Sequence, residues 1–428
     1  MHILDIIAIF VCLAGIFIYV NTYFIKLPSS IGLMLMALCL SFCILVAGWL
    51  FPDFIIGTER VMENYDYSDV LYQVVLIFML FAGALQIDFK KLAQEKWPVL
   101  ILATASIFIS TVIVGIGIFY ILKFAGIHLD LIYCLVFGAL ISPTDPIALT
   151  STIKKYNLSN RLAIQVSGES LFNDGVAVVL ALTLLDLAHT GEDHRISFWD
   201  VGFVFSLDVG GGIILGLILG FVGYRLLKYI DNDQSELEIL VTLALVLTGA
   251  QIATMLHISA KQAAVVAGLI IGNEGRGNYI TSVTSDYVFK FWSLMEESLN
   301  AMLFVLIGLE MLVITIRLDY FAAGFFAFTL ILVARFISVG IPIKLMSTFD
   351  QHHFEKHSVT IMTWGGLRGG IPIALSLSLP EFEGKDIIVT MTYTVVVLSI
   401  LFQGLTVRKL LEYSFGVKLE KPVNAGHH

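Results

Sequence analysis

Charge is what this sequence has least of. Charged residues make up 14% of its 428 positions, against ~25% in an ordinary soluble domain. A soluble chain of this length needs polar residues to cover its surface. A soluble enzyme, a nucleic-acid binder and a disordered chain are therefore excluded. Cysteine is equally sparse. Cys12, Cys39, Cys43 and Cys134 lie in apolar runs and form no CxxC pair, so they read as buried small hydrophobes rather than a metal or redox site. No P-loop, HExxH or nucleophile elbow occurs, so energy from ATP is not supported. The first apolar run opens at Ile3 without a basic leader, and no cleaved signal peptide is expected. His427-His428 reads as the remnant of a purification tag.

What is present is apolar: 58% of residues are hydrophobic. Thirteen segments read as membrane spans of ~20 residues: Ile3–Ile25, Ser30–Leu50, Val70–Ile87, Pro98–Leu122, Leu129–Thr152, Leu162–Ala188, Phe198–Tyr224, Leu237–Leu256, Ala263–Gly272, Phe291–Ile314, Tyr320–Ile343, Ser358–Leu379 and Ile387–Val407. Little is left for a soluble domain. With the N-terminus outside, the inner loops and the tail hold 17 of the Lys and Arg residues. The outer loops hold 6 (Arg60, Lys123, Arg195, Lys261, Arg317, Lys385), and Arg335 and Arg368 lie within spans. Basic residues collect on the cytoplasmic side, which places the C-terminus inside and favours an odd span count. Met79–Leu85 in span three resembles Met302–Leu309 in span ten, and spans five and twelve are both broken by polar, Gly and Pro residues. Each pair is seven spans apart, as inverted repeats with a site near the midplane require.

Placing a carboxylate or guanidinium at the bilayer centre costs ~2.5–3.5 kcal/mol, so such a residue faces a partner or a cavity. Asp145, Glu169, Asp174, Arg335 and Arg368 stand out, whereas Asp208 and Glu310 read as interfacial or packing residues. In span five, Pro143 and Pro146 bracket Thr144-Asp145. Proline removes a backbone donor, so the helix breaks there. Asp145 can cap the freed N–H groups while the carbonyls ligate a cation. In span six, Ser170 and Asp174 share one helix face, and Glu169 and Asn173 the next. Oxygen donors with one carboxylate suit a monovalent ion. Glu169 reads as salt-bridged to an internal arginine, which leaves Asp174 free to titrate. Span twelve carries Arg368 among Gly365, Gly366, Gly369, Gly370 and Pro372. It too is interrupted, and Asp145 and Arg368 can neutralise opposing half-helix ends. His352, His353 and His357 read as a solvated loop. Gly210–Gly212, Gly216 and Gly220 read as a close-packing stripe.

Ser142–Pro146, Gly168–Asp174 and Gly365–Gly369, with Asn300–Leu309 and Ala334–Phe336, together resemble the sodium/proton exchanger family of cation/proton antiporters, NhaP-type branch. The match runs from about Phe78 to Gln403. The resemblance implies that Asp174 binds cation and proton in turn, with Ser170 and Thr144 supplying further oxygens to Na⁺ and Asp145 holding the broken helix. It pairs Glu169 with Arg335 in preference to Arg368. Asn173 stands where another branch has a second acid, which points to electroneutral exchange. The implied assembly is a homodimer in lipid, in a bacterial or archaeal plasma membrane. It has an interface part (spans one to three and eight to ten), a moving core (spans four to six and eleven to thirteen) and span seven linking them. Residues 412–428 form a short cytoplasmic tail. Many relatives carry Glu in the third-span motif where this chain has Phe81-Ala82-Gly83. That leaves an extra cation ligand in question.

The expectation is an all-α polytopic antiporter with two interrupted crossing helices, without cofactor or nucleic-acid partner. It exchanges Na⁺, or alternatively K⁺ or Li⁺, for H⁺ by alternating access. A cation channel and a polytopic membrane enzyme are the rival classes. The enzyme would need a catalytic pair near an interface, and the acids here lie mid-span.

Overall fold

The computed structural model describes residues 3–27, 29–50, 67–156, 158–189, 198–230, 235–274, 282–310, 317–349 and 354–416. Among them there is no β-strand, and every apolar segment carries a helix or a pair of half-helices. The elements are α1 (Ile3–Val20, continued by a π-turn over Asn21–Ile25), α2 (Ser29–Leu50), α3 (Tyr67–Gln86), α4 (Phe89–Gln94), α5 (Lys96–Phe124), α6 (Leu131–Ile141) and α7 (Ile147–Lys155). They continue as α8 (Asn160–His189), α9 (Phe198–Tyr229), α10 (Ser235–Met255), α11 (Ala260–Glu274), α12 (Ser282–Glu310), α13 (Leu318–Phe349), α14 (Ser358–Gly365) and α15 (Ile371–Leu377). Last come α16 (Lys385–Leu398), a π-helix over Ser399–Gly404, and α17 (Leu405–Phe415). Among the described residues, six helical stretches have the length and apolarity to cross a membrane. The fifth segment is split into α6 and α7 and the twelfth into α14 and α15, where the Pro and Gly clusters fall. His352, His353, the side chain of Glu310 and the residues from 417 on lie outside the described set.

Two bodies of helix packing emerge. In one, α5 packs on α6, α8 and α13, and α13 on α16. The Ser106 hydroxyl on α5 donates to the Ser338 carbonyl at 2.8 Å, which ties α5 to α13 in their buried seam. In the other, α11 packs on α9 and α3, and α12 on α2 and α3. The glycine stripe supplies the α9–α11 contact, since a Cβ at Gly212 or Gly216 would run into the Ser259 or Ala263 carbonyl. Trp292 and Phe81 are fully buried at the centre of this second body, their rings 4.6 Å apart. The cysteine expectation fails for three of four: Cys134 is buried, but Cys12, Cys39 and Cys43 are exposed. In a membrane an apolar side chain is as well solvated by lipid as by protein, so an apolar run does not reveal which of its residues point inward.

Candidate functional site

Pro146 sets the geometry of the first break. A helical donor at 146 would serve the carbonyl of Ser142, four residues earlier, and proline has none. Arg368 supplies the missing hydrogens. Its Nη1 donates to the Ser142 carbonyl at 2.5 Å and to the Pro143 carbonyl at 2.7 Å. The guanidinium thus sits at the C-terminal, partially negative end of α6, where a cation is favoured. The chain around Asp145 runs extended and pairs antiparallel with Leu367, the Asp145 N–H donating to the Leu367 carbonyl at 2.7 Å. Asp145 packs against Gly369, where a Cβ would sit 3.1 Å from its carboxylate, just before α15 begins. The two interruptions therefore meet, and each brings its charged residue to the other's half-helix.

Helix α8 passes beside this junction. The Glu169 carboxylate and the Arg335 guanidinium on α13 form an ion pair at 2.5 Å, both side chains about 97% buried or more. Arg335 also lies 3.4 Å from the Thr144 hydroxyl, which accepts a bond from the Asn173 amide at 3.1 Å. The Ser170 hydroxyl donates to the Thr144 carbonyl at 2.8 Å. Asn173, Glu169 and Ser170 thus tether α8 to the broken segment. Asp174 is treated differently. It is buried, yet among the described residues no hydrogen bond or ion pair holds its carboxylate. It lines a cavity of about 400 Å³ together with Thr144, Asp145 and Ser170. The oxygens available there are a carboxylate, hydroxyls and a carbonyl, a donor set suited to a hard monovalent cation. Among the described residues, no cluster of three or more His, Cys, Asp or Glu forms a conventional metal site.

A sequence model of the sodium/hydrogen exchanger transmembrane region matches residues 7–413. The chain belongs to that family. This exchanger-family chain is 41% identical to the Na⁺/H⁺ antiporter NhaP of Pseudomonas aeruginosa, over 99% of its own length and 100% of the relative's. It is 30% identical to the Na⁺/H⁺ antiporter NhaH of Halobacillus aidingensis, over 91% of this chain and 92% of that one. Its fold is similar to that of the sodium proton antiporter MjNhaP1 from Methanocaldococcus jannaschii, with a TM-score of 0.74 and 20% identity, covering 96% of this chain and 98% of the other.

The candidate site also contains residues that the sequence reading missed. Ser399 and Gln403 lie in the π-helix, a form that recurs at functional sites. The Ser399 hydroxyl accepts from the Arg368 N–H at 2.9 Å and donates to Gln403 at 2.6 Å, and the Gln403 amide donates to the Trp364 carbonyl at 3.0 Å. A Ser and a Gln four residues apart in an apolar run were the available signal. Lys261 corrects an earlier placement. It lies in the first turn of α11, not in a loop, and is only partly exposed. It stands within electrostatic reach of both Asp174 and Asp208. The Gln262 amide next to it fills the space that a side chain at Gly175 would need. The polar Lys-Gln pair hid the start of this helix from hydropathy. Ala82 is fully buried in the body around Trp292, while Gly83 lines the cavity.

Proposed function

We propose that this chain is a secondary Na⁺/H⁺ antiporter in which the cation and the proton compete for Asp174. The carrying observation is the buried Asp174 carboxylate facing a cavity, beside three neighbours that are all engaged in holding the broken segment. A carboxylate that binds either Na⁺ or H⁺ is neutral when loaded, whereas exposing it bare to the apolar barrier is costly. Movement of the loaded carrier alone couples the two ions without ATP. Ser170 and Thr144 provide further oxygens, and Asp145, Asn173, Glu169, Arg335 and Arg368 support them.

The same reading assigns the body of α4–α8 and α13–α17 to a moving core and that of α1–α3 and α10–α12 to an interface part, with α9 between them. The interface part serves a homodimer. On this reading the chain crosses a bacterial-type plasma membrane thirteen times with its basic residues on the cytoplasmic side, and the cavity end lined by Asp88, Lys91 and Asn160 opens to the cytoplasm. The relatives named Na⁺/H⁺ antiporter support Na⁺ over K⁺. Proteoliposomes with an internal pH dye test the reading. Na⁺ addition should discharge an imposed proton gradient, K⁺ less effectively. Cation uptake that leaves the proton gradient untouched would instead indicate a channel.

A further inference from the structure

The cavity has a second polar wall. Glu296, Asn300 and Leu303 on α12 all line it, and their spacing of four and three residues puts them on one helix face. From α3 come Gly83 and Gln86. The Gln86 amide donates to Glu296 Oε2 at 2.6 Å. Glu296 falls within the apolar segment Phe291–Ile314, among Leu76, Met79, Leu80 and Leu303 of the same cavity lining. An ionisable residue so placed is costly and marks an ion path by default. The two other charged groups lining the cavity toward its mouth, Asp88 and Lys91, are paired with one another at 3.6 Å. That pair contributes no net charge to the mouth.

We propose that Glu296, with Gln86 and Asn300, forms a holding site for an incoming hydrated monovalent cation on the α3–α12 wall of the cavity that also contains Asp174. The inference rests on the exchange reading and adds a station to it. Carboxylates in a cleft with low-dielectric walls concentrate cations, and Glu296 adds one to the α12 wall. The amide oxygens of Gln86 and Asn300 are neutral, so they can replace part of the hydration shell without adding charge. Gly83 leaves the Oε1 side of the carboxylate approachable, because even a Cβ at that position would stand 3.9 Å from it and meets nothing else within 4 Å. Gln86 lies on α3 and Glu296 and Asn300 on α12, none of them among the residues around Asp174, so the site can fill while Asp174 is still occupied by a proton. It therefore sets the apparent affinity for the cation rather than the coupling.

The test uses everted and right-side-out membrane vesicles holding full-length protein, with exchange driven by Na⁺ from either face. Glu296→Gln preserves the bond to Gln86 in shape and removes the charge. It is expected to raise KM for Na⁺ from the cavity face roughly three- to tenfold, with a smaller change in maximal rate and no change in KM from the opposite face. Glu296→Asp keeps the charge and should stay near the wild-type KM. Gly83→Val, which has room to fold, should imitate Glu296→Gln by covering the carboxylate. A structural role would not respond to salt, whereas this one does. Raising choline chloride from ~0.01 to ~1 M shortens the screening length from ~30 to ~3 Å and should bring the wild-type KM up to that of Glu296→Gln. Identical KM values and salt dependence in wild type and Glu296→Gln would overturn the holding site. So would a wild-type KM indifferent to choline chloride, a measurement that needs no variant. Wild-type vesicles with no Na⁺-driven proton flux would instead overturn the exchange reading itself.

Discussion

Asp174 and Glu169 lie five residues apart on one helix and are both buried, yet their surroundings differ, and the proposed exchange gives them opposite work. Glu169 is held by a guanidinium at 2.5 Å, whereas Asp174 faces open space. Asp174→Asn keeps the size and removes the titrating group. Na⁺-driven proton flux should disappear while the melting temperature in detergent stays within a few degrees of wild type. Substantial residual exchange would place the coupling elsewhere. Glu169→Ala should behave differently, because it leaves the Arg335 charge without its carboxylate. Breaking a buried pair costs ~3–5 kcal/mol, so thermal stability and transport should fall together. Differential scanning fluorimetry separates the two cases. A Glu169→Ala protein as stable as wild type would show that the pair is dispensable.

At the scale of elements, the interrupted segments do most to position the site, and their side-chain stitching is concentrated in one residue. Removing Arg368 leaves the Ser142 and Pro143 carbonyls without donors, and a buried polar group left unsatisfied costs ~1–3 kcal/mol. Arg368→Ala should therefore lower thermal stability and transport, and Arg368→Lys should recover part of each, since an ammonium keeps the charge but not the flat fork of donors. An unchanged melting temperature in Arg368→Ala would mean that the break is held by the Asp145–Leu367 pairing and the π-helix alone. Much of this architecture was legible beforehand. Pro143, Pro146 and the glycines of span twelve announce broken helix wherever they stand, because their effect on the backbone is local. The contributions of Lys261, Glu296 and Gln403 were not legible, because each depends on which neighbour its helix face meets. The same limit explains the exposed cysteines. Hydropathy separates water from everything else, and it does not separate lipid from protein.

For the whole molecule, the consequence of the proposed single titrating carboxylate is electrical. Asn173 is neutral and bonded to Thr144, and Glu169 is neutralised by Arg335, so each loaded state carries one positive charge on one carboxylate. Exchange should be one cation for one proton and indifferent to voltage. Proteoliposomes clamped at several potentials with potassium and valinomycin should give the same steady-state Na⁺-to-H⁺ ratio throughout. A ratio that moves net charge would require a second titrating group. The competition has a further signature: a higher Na⁺ concentration should extend activity to lower pH.

The meeting of the two interruptions also sets a schedule for making the protein. Arg368 lies 226 residues beyond Ser142, and at ~5–20 residues per second a ribosome takes roughly 10–45 s to cover that distance. For that interval the first broken segment has already been synthesised, and the Arg368 donor for its carbonyls does not yet exist. The nascent chain must keep that segment in a hydrated or protein-lined setting until the second half arrives. The proposed transport site is thus completed late, by the joining of two halves of one polypeptide.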